Sequence, residues 1–359
     1  EVNVGFEPQW LLLKNSSASE NWFMFDNMRG IATGGATDNV DPTLYANTNS
    51  AEGNVNRVDL TSTGFKLTDG ASDLNGNGNT IIYVAVRRPD GYVGKPPELG
   101  TGVFAMDTGN GSTTTPTFDS GFPVDFVTMR QFASSGNLPV SSRLTGGALL
   151  KTNTTDAETS PIASWTFDSN VGWSKGGADN TWISWMWKRH AGFDVVTYDG
   201  DGTAGHQIPH SLSKTPEMIW IKRRATGTAD WVVGHKGLNG GTNPWHYGLR
   251  LNDTAAEDDL ETYFNDTTPT ATHFTLGSHN WVNNGSNRTY IAMLFASVDG
   301  ISKVGSYEGS NSPITITTGF QPRFFFVKRY DSTGNWTVFD TVRGWGSGGD
   351  CKVEFNTDG

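Results

Sequence analysis

Three stretches of the chain carry one hydrophobic pattern. NTIIYVAVRRPDG (Asn79 to Gly91), NTWISWMWKRHAG (Asn180 to Gly192) and RTYIAMLFASVDG (Arg288 to Gly300) align without a gap. Side chains alternate across a strand. One face then carries Ile82, Val84 and Val86, followed by Ile183, Trp185 and Trp187, and by Ile291, Met293 and Phe295. That face is wholly apolar each time, and the opposite face is mostly apolar. The pattern predicts interior strands covered on both sides.

A second phrase recurs around these strands. ENWFMFDNMRG (Glu20 to Gly30) and GNWTVFDTVRG (Gly334 to Gly344) share Asn, Trp, Phe, Asp, Arg and Gly at the same places. GFEPQWLLLKN precedes the first from Gly5, and GFQPRFFFVKR precedes the second from Gly319. Between them, SKTPEMIWIKRRATGTADWVVGHKG starts at Ser213, with Trp231 at the place of Trp22 and Trp336, and His235 at the place of Asp26. GFPVDFVTMRQ at Gly121 is a more degraded copy. The step from Trp231 to Trp336 is 336 − 231 = 105 residues. A third phrase ends in Ala-Glu: NTNSAE at Glu52, NTTDAE at Glu158 and NDTAAE at Glu257. Asn49, Thr155 and Thr254 stand three residues before the Glu, the spacing of a capping box, so a single helical turn is expected there. The closing residues FNTDG reach the same point in a fourth copy.

Self-similarity at this period predicts an all-β chain of tandem β-sandwich repeats (jelly-roll or concanavalin-like) of about 100 residues each, with very little helix. The units run over 1–94 (N-terminally incomplete), 95–192 (divergent), 193–300 and 301–359 (incomplete). A propeller blade, with four strands in about 40 to 50 residues, fits less well. The chain opens and closes mid-unit, which suggests a segment of a longer repetitive polypeptide. A fold that pairs the two half-units is the other reading.

Composition narrows the function. Among 359 residues there are 44 Gly, 13 Trp and 20 Phe, enough large apolar side chains for several cores. The net charge of −11 comes without a basic stripe, which argues against nucleic-acid partners and anionic membranes. Cys351 is the one cysteine, so no intrachain disulfide forms. No stretch approaches the roughly 20 apolar residues of a membrane span, and no signal peptide opens the chain.

Candidate chemistry is sparse. Asp26 with Arg29, and Asp340 with Arg343, form either a repeated ligand-binding pair or a strand-end turn; recurrence favours the scaffold reading. Asp73, Asn75 and Asn77 in DLNGNGN fit the opening of a calcium loop, but Val84 stands where the loop's last acid belongs. Otherwise this is a Gly/Asn hairpin turn. Glu257, Asp259 and Glu261 alternate in EDDLE and would share a strand face, as glycoside hydrolysis requires of paired carboxylates. The capping-box spacing at Thr254 argues instead for a helical turn that scatters them. Trp245 and Tyr247, in the Gly/Asn/Pro-rich LNGGTNPWHYG, are the aromatic residues best placed to stack on sugars from an exposed loop. No nucleophile elbow, phosphate loop or HExxH spacing is present.

The run from FDVVTYDGDGTAGHQIPHSLSKTPEMIWIKRR to GFQPRFFFVKRYDSTGNWTVFDTVRG resembles a repeat domain of marine bacteriophage virion proteins, tail fibres among them. The likeness is strong over 193–344, good over 1–91 and loose over 95–192. It implies a virion or extracellular location and a non-enzymatic binding or scaffold role. The partners it implies are other copies, other virion proteins and host-surface glycans. It carries over no catalytic residue and no cofactor. The alternatives are a jelly-roll depolymerase and a bacterial adhesin or filament.

Overall fold

The computed structural model describes every residue except 32–40, 69, 88–96, 98, 133, 225–226, 286–287, 346–349 and 359. It is all-β, with antiparallel sheets arranged as sandwiches and two α-helices, Ser72–Asn75 and Glu261–Phe264, among the described residues. The last four residues of the Asn79 stretch and the 94/95 unit boundary lie outside them.

Four sheets share one strand order, the fourth over three strands. The first runs Gly53–Val55, Asp41–Tyr45, Trp22–Asp26, Trp10–Asn15, Ile81–Val86. The second runs Leu150–Lys151, Pro139–Ser142, Phe126–Gln131, Trp182–Trp187, Phe104–Thr108. The third runs Asp258–Asp259, Tyr247–Arg250, Val232–His235, Met218–Arg223, Thr289–Phe295, Phe193–Asp199. The fourth has Lys352–Glu354, Thr337–Asp340 and Phe324–Val327. Registers match as well. Trp10 faces Asp26, Phe126 faces Ser142, Met218 faces His235 and Phe324 faces Asp340. Three smaller sheets lie beside the first three.

Two backbone constraints explain why the phrases recur. Five residues before each of those facing positions stands a left-handed residue: Gly5 (φ +80°), Gly121 (+80°), Ser213 (+58°) and Gly319 (+87°). Four residues after each strand end stands another: Gly30 (+107°), Gly146 (+59°), Asn239 (+48°) and Gly344 (+110°). Gly tolerates this region freely, and Asn is the usual substitute. The strand-end side chain closes the intervening turn in each case. Asp26 Oδ1 accepts from Arg29 N at 2.8 Å, Ser142 Oγ from Leu144 N at 3.2 Å, His235 Nδ1 from Gly237 N at 2.9 Å, and Asp340 Oδ1 from Arg343 N at 2.9 Å. The second unit therefore keeps the device with other residues.

The expected helical turns before Glu52, Glu158 and Glu257 are absent; these segments are irregular and extended. The Asn that leads into each phrase has a different task. Asn47, Asn153, Asn252 and Asn356 accept, through Oδ1, the amide of Trp22 (2.9 Å), Leu138 (3.3 Å), Trp231 (2.8 Å) and Trp336 (2.8 Å). Each donates Nδ2 to the preceding residue's side chain: Asn21, Asn137, Asp230 and Asn335. An amide side chain that both accepts and donates ties the start of one strand to the end of the next.

The rest of that phrase joins sheet to sheet. Between the second and third sheets, Trp231 Nε1 donates to Lys151 O (2.8 Å), Ala229 N to Thr155 O (3.0 Å) and Glu158 N to Arg224 O (3.0 Å). Between the third and fourth, Trp336 Nε1 donates to Arg250 O (2.8 Å), Gly334 N to Thr254 O (2.9 Å) and Glu257 N to Tyr330 O (2.8 Å). The fourth sheet then returns to the second. Gly136 N donates to Asp358 O (2.6 Å), and Asp358 stands two residues after Asn356, as Thr155 and Thr254 stand two after their Asn. Thr152 Oγ1 also donates to Phe355 O at 2.7 Å. The second, third and fourth sheets thus close a ring through equivalent head-to-tail junctions; at the closing one Leu138 stands where Trp231 and Trp336 do, so the main-chain bond is kept without the indole bond.

The ring encloses an aromatic centre. Phe355 packs on Trp185 (6.1 Å), Trp220 (6.3 Å) and Phe326 (5.2 Å), and Phe324 packs edge-on to Trp187 (5.7 Å). On their other faces the second and third sheets make separate cores with their small sheets, around Trp173 and Phe274 respectively. The first sheet lies outside the ring. It is held by the buried cluster of Arg189 with Glu7 (2.6 Å) and Asp194 (2.7 Å), and by Ser62 Oγ to Pro209 O (3.0 Å).

This arrangement corrects the expectation of three interior strands and divides the equivalent tryptophans. Trp182–Trp187 and Thr289–Phe295 are interior strands, but Ile81–Val86 is an edge strand among the described residues. Trp231 and Trp336 are buried, whereas Trp22 is 37% exposed. Among the described residues no sheet stands against Trp22 as the second stands against Trp231 and the third against Trp336.

Candidate functional site

The Asp–Arg pairs of the recurring phrase are local clamps. Arg29 Nε reaches Asp26 Oδ2 at 2.6 Å, and Arg29 Nη1 reaches Glu52 at 3.0 Å. Arg343 Nε reaches Asp340 Oδ2 at 2.6 Å, and the guanidinium lies over the Trp185 ring at 5.4 Å. Trp185 Nε1 donates to the same carboxylate at 3.3 Å. Asp340 is fully buried, so this pair locks the turn of the fourth sheet onto the second. Glu158, the Glu of the third phrase in the second unit, does similar work. It takes a bidentate contact from Arg224 of the third sheet (3.0 and 2.8 Å), and burial raises its carboxyl pKa against the opposing pull of Arg224.

Trp245 is not an exposed platform. Its ring is buried edge-on to Phe264 at 5.3 Å, because the short 3₁₀ turn Pro244–His246 folds it under the third sheet. Tyr247 opens the following strand, half-buried, directly opposite Asp259 in the strand register. Burial and that neighbouring carboxylate raise the phenol pKa.

Asp73 and Asn75 lie in the helical turn Ser72–Asn75, and Asp73 is paired with Arg57 at 3.2 Å. Among the described residues no group of three His, Cys, Asp or Glu side chains is placed to hold a metal ion. The acids of EDDLE share neither a strand face nor a helical turn. Glu257 is in a loop and accepts Asn239 N at 2.7 Å. Asp259 lies on a two-residue strand, and Glu261 opens the helix Glu261–Phe264. Asp258 pairs with Arg250.

An exposed apolar face lies on the first sheet. Ile82, Val84 and Val86 are 48%, 51% and 47% exposed, and Trp22, Trp10, Leu12 and Met24 lie on the same face. Their register equivalents in the second and third sheets, such as Trp185, Trp220 and Met293, fill the centre of the ring. Sequence reading identified the apolar face correctly and missed that it is bare. The signal for that lay in topology. The strands that flank Trp182–Trp187 and Thr289–Phe295 come from about one unit earlier in the chain, and Ile81–Val86 has no such strand among the described residues.

The geometry defines an all-β scaffold of interlocked sandwiches. The chain matches the model of a domain of unknown function, DUF7483, over residues 2–88 and 103–356, and it belongs to that family. No curated protein and no solved structure matches it significantly. Among the described residues no helix is long and apolar enough to cross a membrane.

Proposed function

We propose that this chain is a non-enzymatic structural module of a bacteriophage virion surface, of the tail-fibre kind, that presents loops to host-envelope glycans. The observation that supports the reading most is the ring. Equivalent junctions between successive sheets give a stiff body whose loops are free to vary while the frame stays the same. The resemblance of residues 193–344 to marine phage repeat domains points the same way. Weak single contacts, multiplied over copies, then give useful avidity. Tyr247 and the turn before it, with left-handed Asn239, Gly240 and Asn243, form the loop nominated for contact.

The test is binding of the purified chain to host-envelope polysaccharide, alone and displayed in many copies on beads, with a parallel assay for new reducing ends. The expected result is weak binding alone, tight binding on beads, several-fold loss on Tyr247→Ala, and no new ends. Sugar release that disappears when Glu257, Asp259 or Glu261 is neutralised would replace this reading with a depolymerase.

A further inference from the structure

The contact that joins the second sheet to the third and the third to the fourth has its counterparts in the first sheet, and among the described residues they are not joined to another sheet; Glu20 N, at the place of Ala229 and Gly334, is turned instead to Ala18 O at 3.0 Å. On the donor side, Trp22 occupies the place of Trp231 and Trp336, which give their indole N–H to the neighbouring sheet. Trp22 is partly exposed and touches no such carbonyl among the described residues. On the acceptor side, Tyr45 occupies the place of Lys151 and Arg250, whose carbonyls receive those indoles. Asn49 and Glu52 occupy the places of Thr155/Thr254 and Glu158/Glu257. The apolar face that the ring would enclose, centred on Val84, is about half exposed.

We propose that three copies of this chain assemble through their first sheets into a second ring, around a three-fold axis. The argument is geometric. A head-to-tail contact generates either a closed ring or an open filament, and the rotation it imposes decides which. Within this chain equivalent junctions close after three sheets, from second to third to fourth and back, the last through the shared main-chain bond of Gly136 to Asp358 without an indole. A first sheet bearing these counterparts, repeated on identical copies, closes after the same number. Trp22 Nε1 of one copy donates to the Tyr45 carbonyl of the next, and Ile82, Val84 and Val86 of all three meet at the axis. The occupant of this face is therefore the chain itself. The inference does not depend on the function proposed above, since it concerns assembly and no glycan.

The test is the molar mass of the chain by sedimentation equilibrium across a concentration series, compared with 38.9 kDa for one copy. The expected species is a trimer. Val84→Glu, which changes a residue half exposed in the single chain, should abolish it with the melting temperature of the monomer kept. Trp22→Ala should weaken assembly by about tenfold or more, the scale of roughly 1.4 kcal/mol. Val171→Glu, at an exposed valine remote from this face, should leave the trimer intact. Should Val84→Glu misfold, Ile82→Ser on the same face serves in its place. A chain monomeric at all concentrations, a dimer, an open-ended polymer, or a trimer that survives both face variants would overturn the proposal.

Discussion

In the third sheet, Met293 and Trp220 lie in the dry centre of a ring; in the first sheet their register equivalents, Val84 and Leu12, face outward. Both sheets have the same strand order, the same left-handed positions and the same Asn clamp. The difference between them is their neighbours. An alternating apolar pattern specifies a strand and its pairing, but what covers each face is settled by sheets far away in sequence. The enclosed faces carry Trp185, Trp187 and Trp220, while the bare one carries Ile and Val beside Trp10 and Trp22.

This comparison gives its largest effect at the equivalent tryptophans. Trp231→Ala removes a fully buried ring and its hydrogen bond to Lys151 O, and should cost about 3–5 kcal/mol. Trp22→Ala, at the exposed equivalent, should cost about 1 kcal/mol or less in the single chain. Urea denaturation of both variants below the concentration of any assembly decides the matter; equal losses would mean the two sheets are covered alike.

The Asn clamp should show a smaller difference in the same sense. Asn252→Ala leaves the partly buried Trp231 amide and the Asp230 carboxylate without their partner, a loss of about 1–3 kcal/mol. Asn47→Ala breaks the equivalent bonds where water can replace them, so a loss under about 0.5 kcal/mol is expected. Denaturation curves of the two variants, measured side by side, give the ratio.

A third difference is set by pH. Lys222 and Lys14 are equivalent, but Lys222 is fully buried, its ammonium donating to Ala229 O beneath the Trp231 ring, and burial pushes its pKa from 10.5 down to about 7. The folded protein then binds fewer protons than the unfolded chain between pH 7 and 10.5. Its stability contribution therefore rises as pH rises through that window and is lost as pH falls towards 7. Lys222→Met should flatten the stability–pH curve there relative to the unmodified chain. A slope that persists in Lys222→Met would show that the ammonium is hydrated.

Much of the scaffold was legible in the sequence. The alternation of the Asn79, Asn180 and Arg288 stretches marked strands that exist in all three places. The recurrence of Trp, Asp and Gly marked turns that the structure closes with those residues. Two things were hidden. The Asn-to-Glu phrase has capping-box spacing, yet its Asn holds two strands together and its main chain reaches the next sheet, contacts that local spacing cannot reveal. Trp245 follows Gly, Asn and Pro, the composition of an exposed loop, but a single 3₁₀ turn places its ring in the core beside Phe264. Long-range topology decided both, and local pattern reads only the element.

The account rests on one face being bare where its equivalent is enclosed, and thiol reactivity measures that directly. In a Cys351→Ser background, Val84→Cys and Met293→Cys are labelled with a thiol reagent at a concentration too low for assembly. Val84→Cys should react within about tenfold of the unfolded chain, while Met293→Cys should be slower by on the order of 10³ or more, since it requires opening of the core. Equal protection at the two positions would contradict the account.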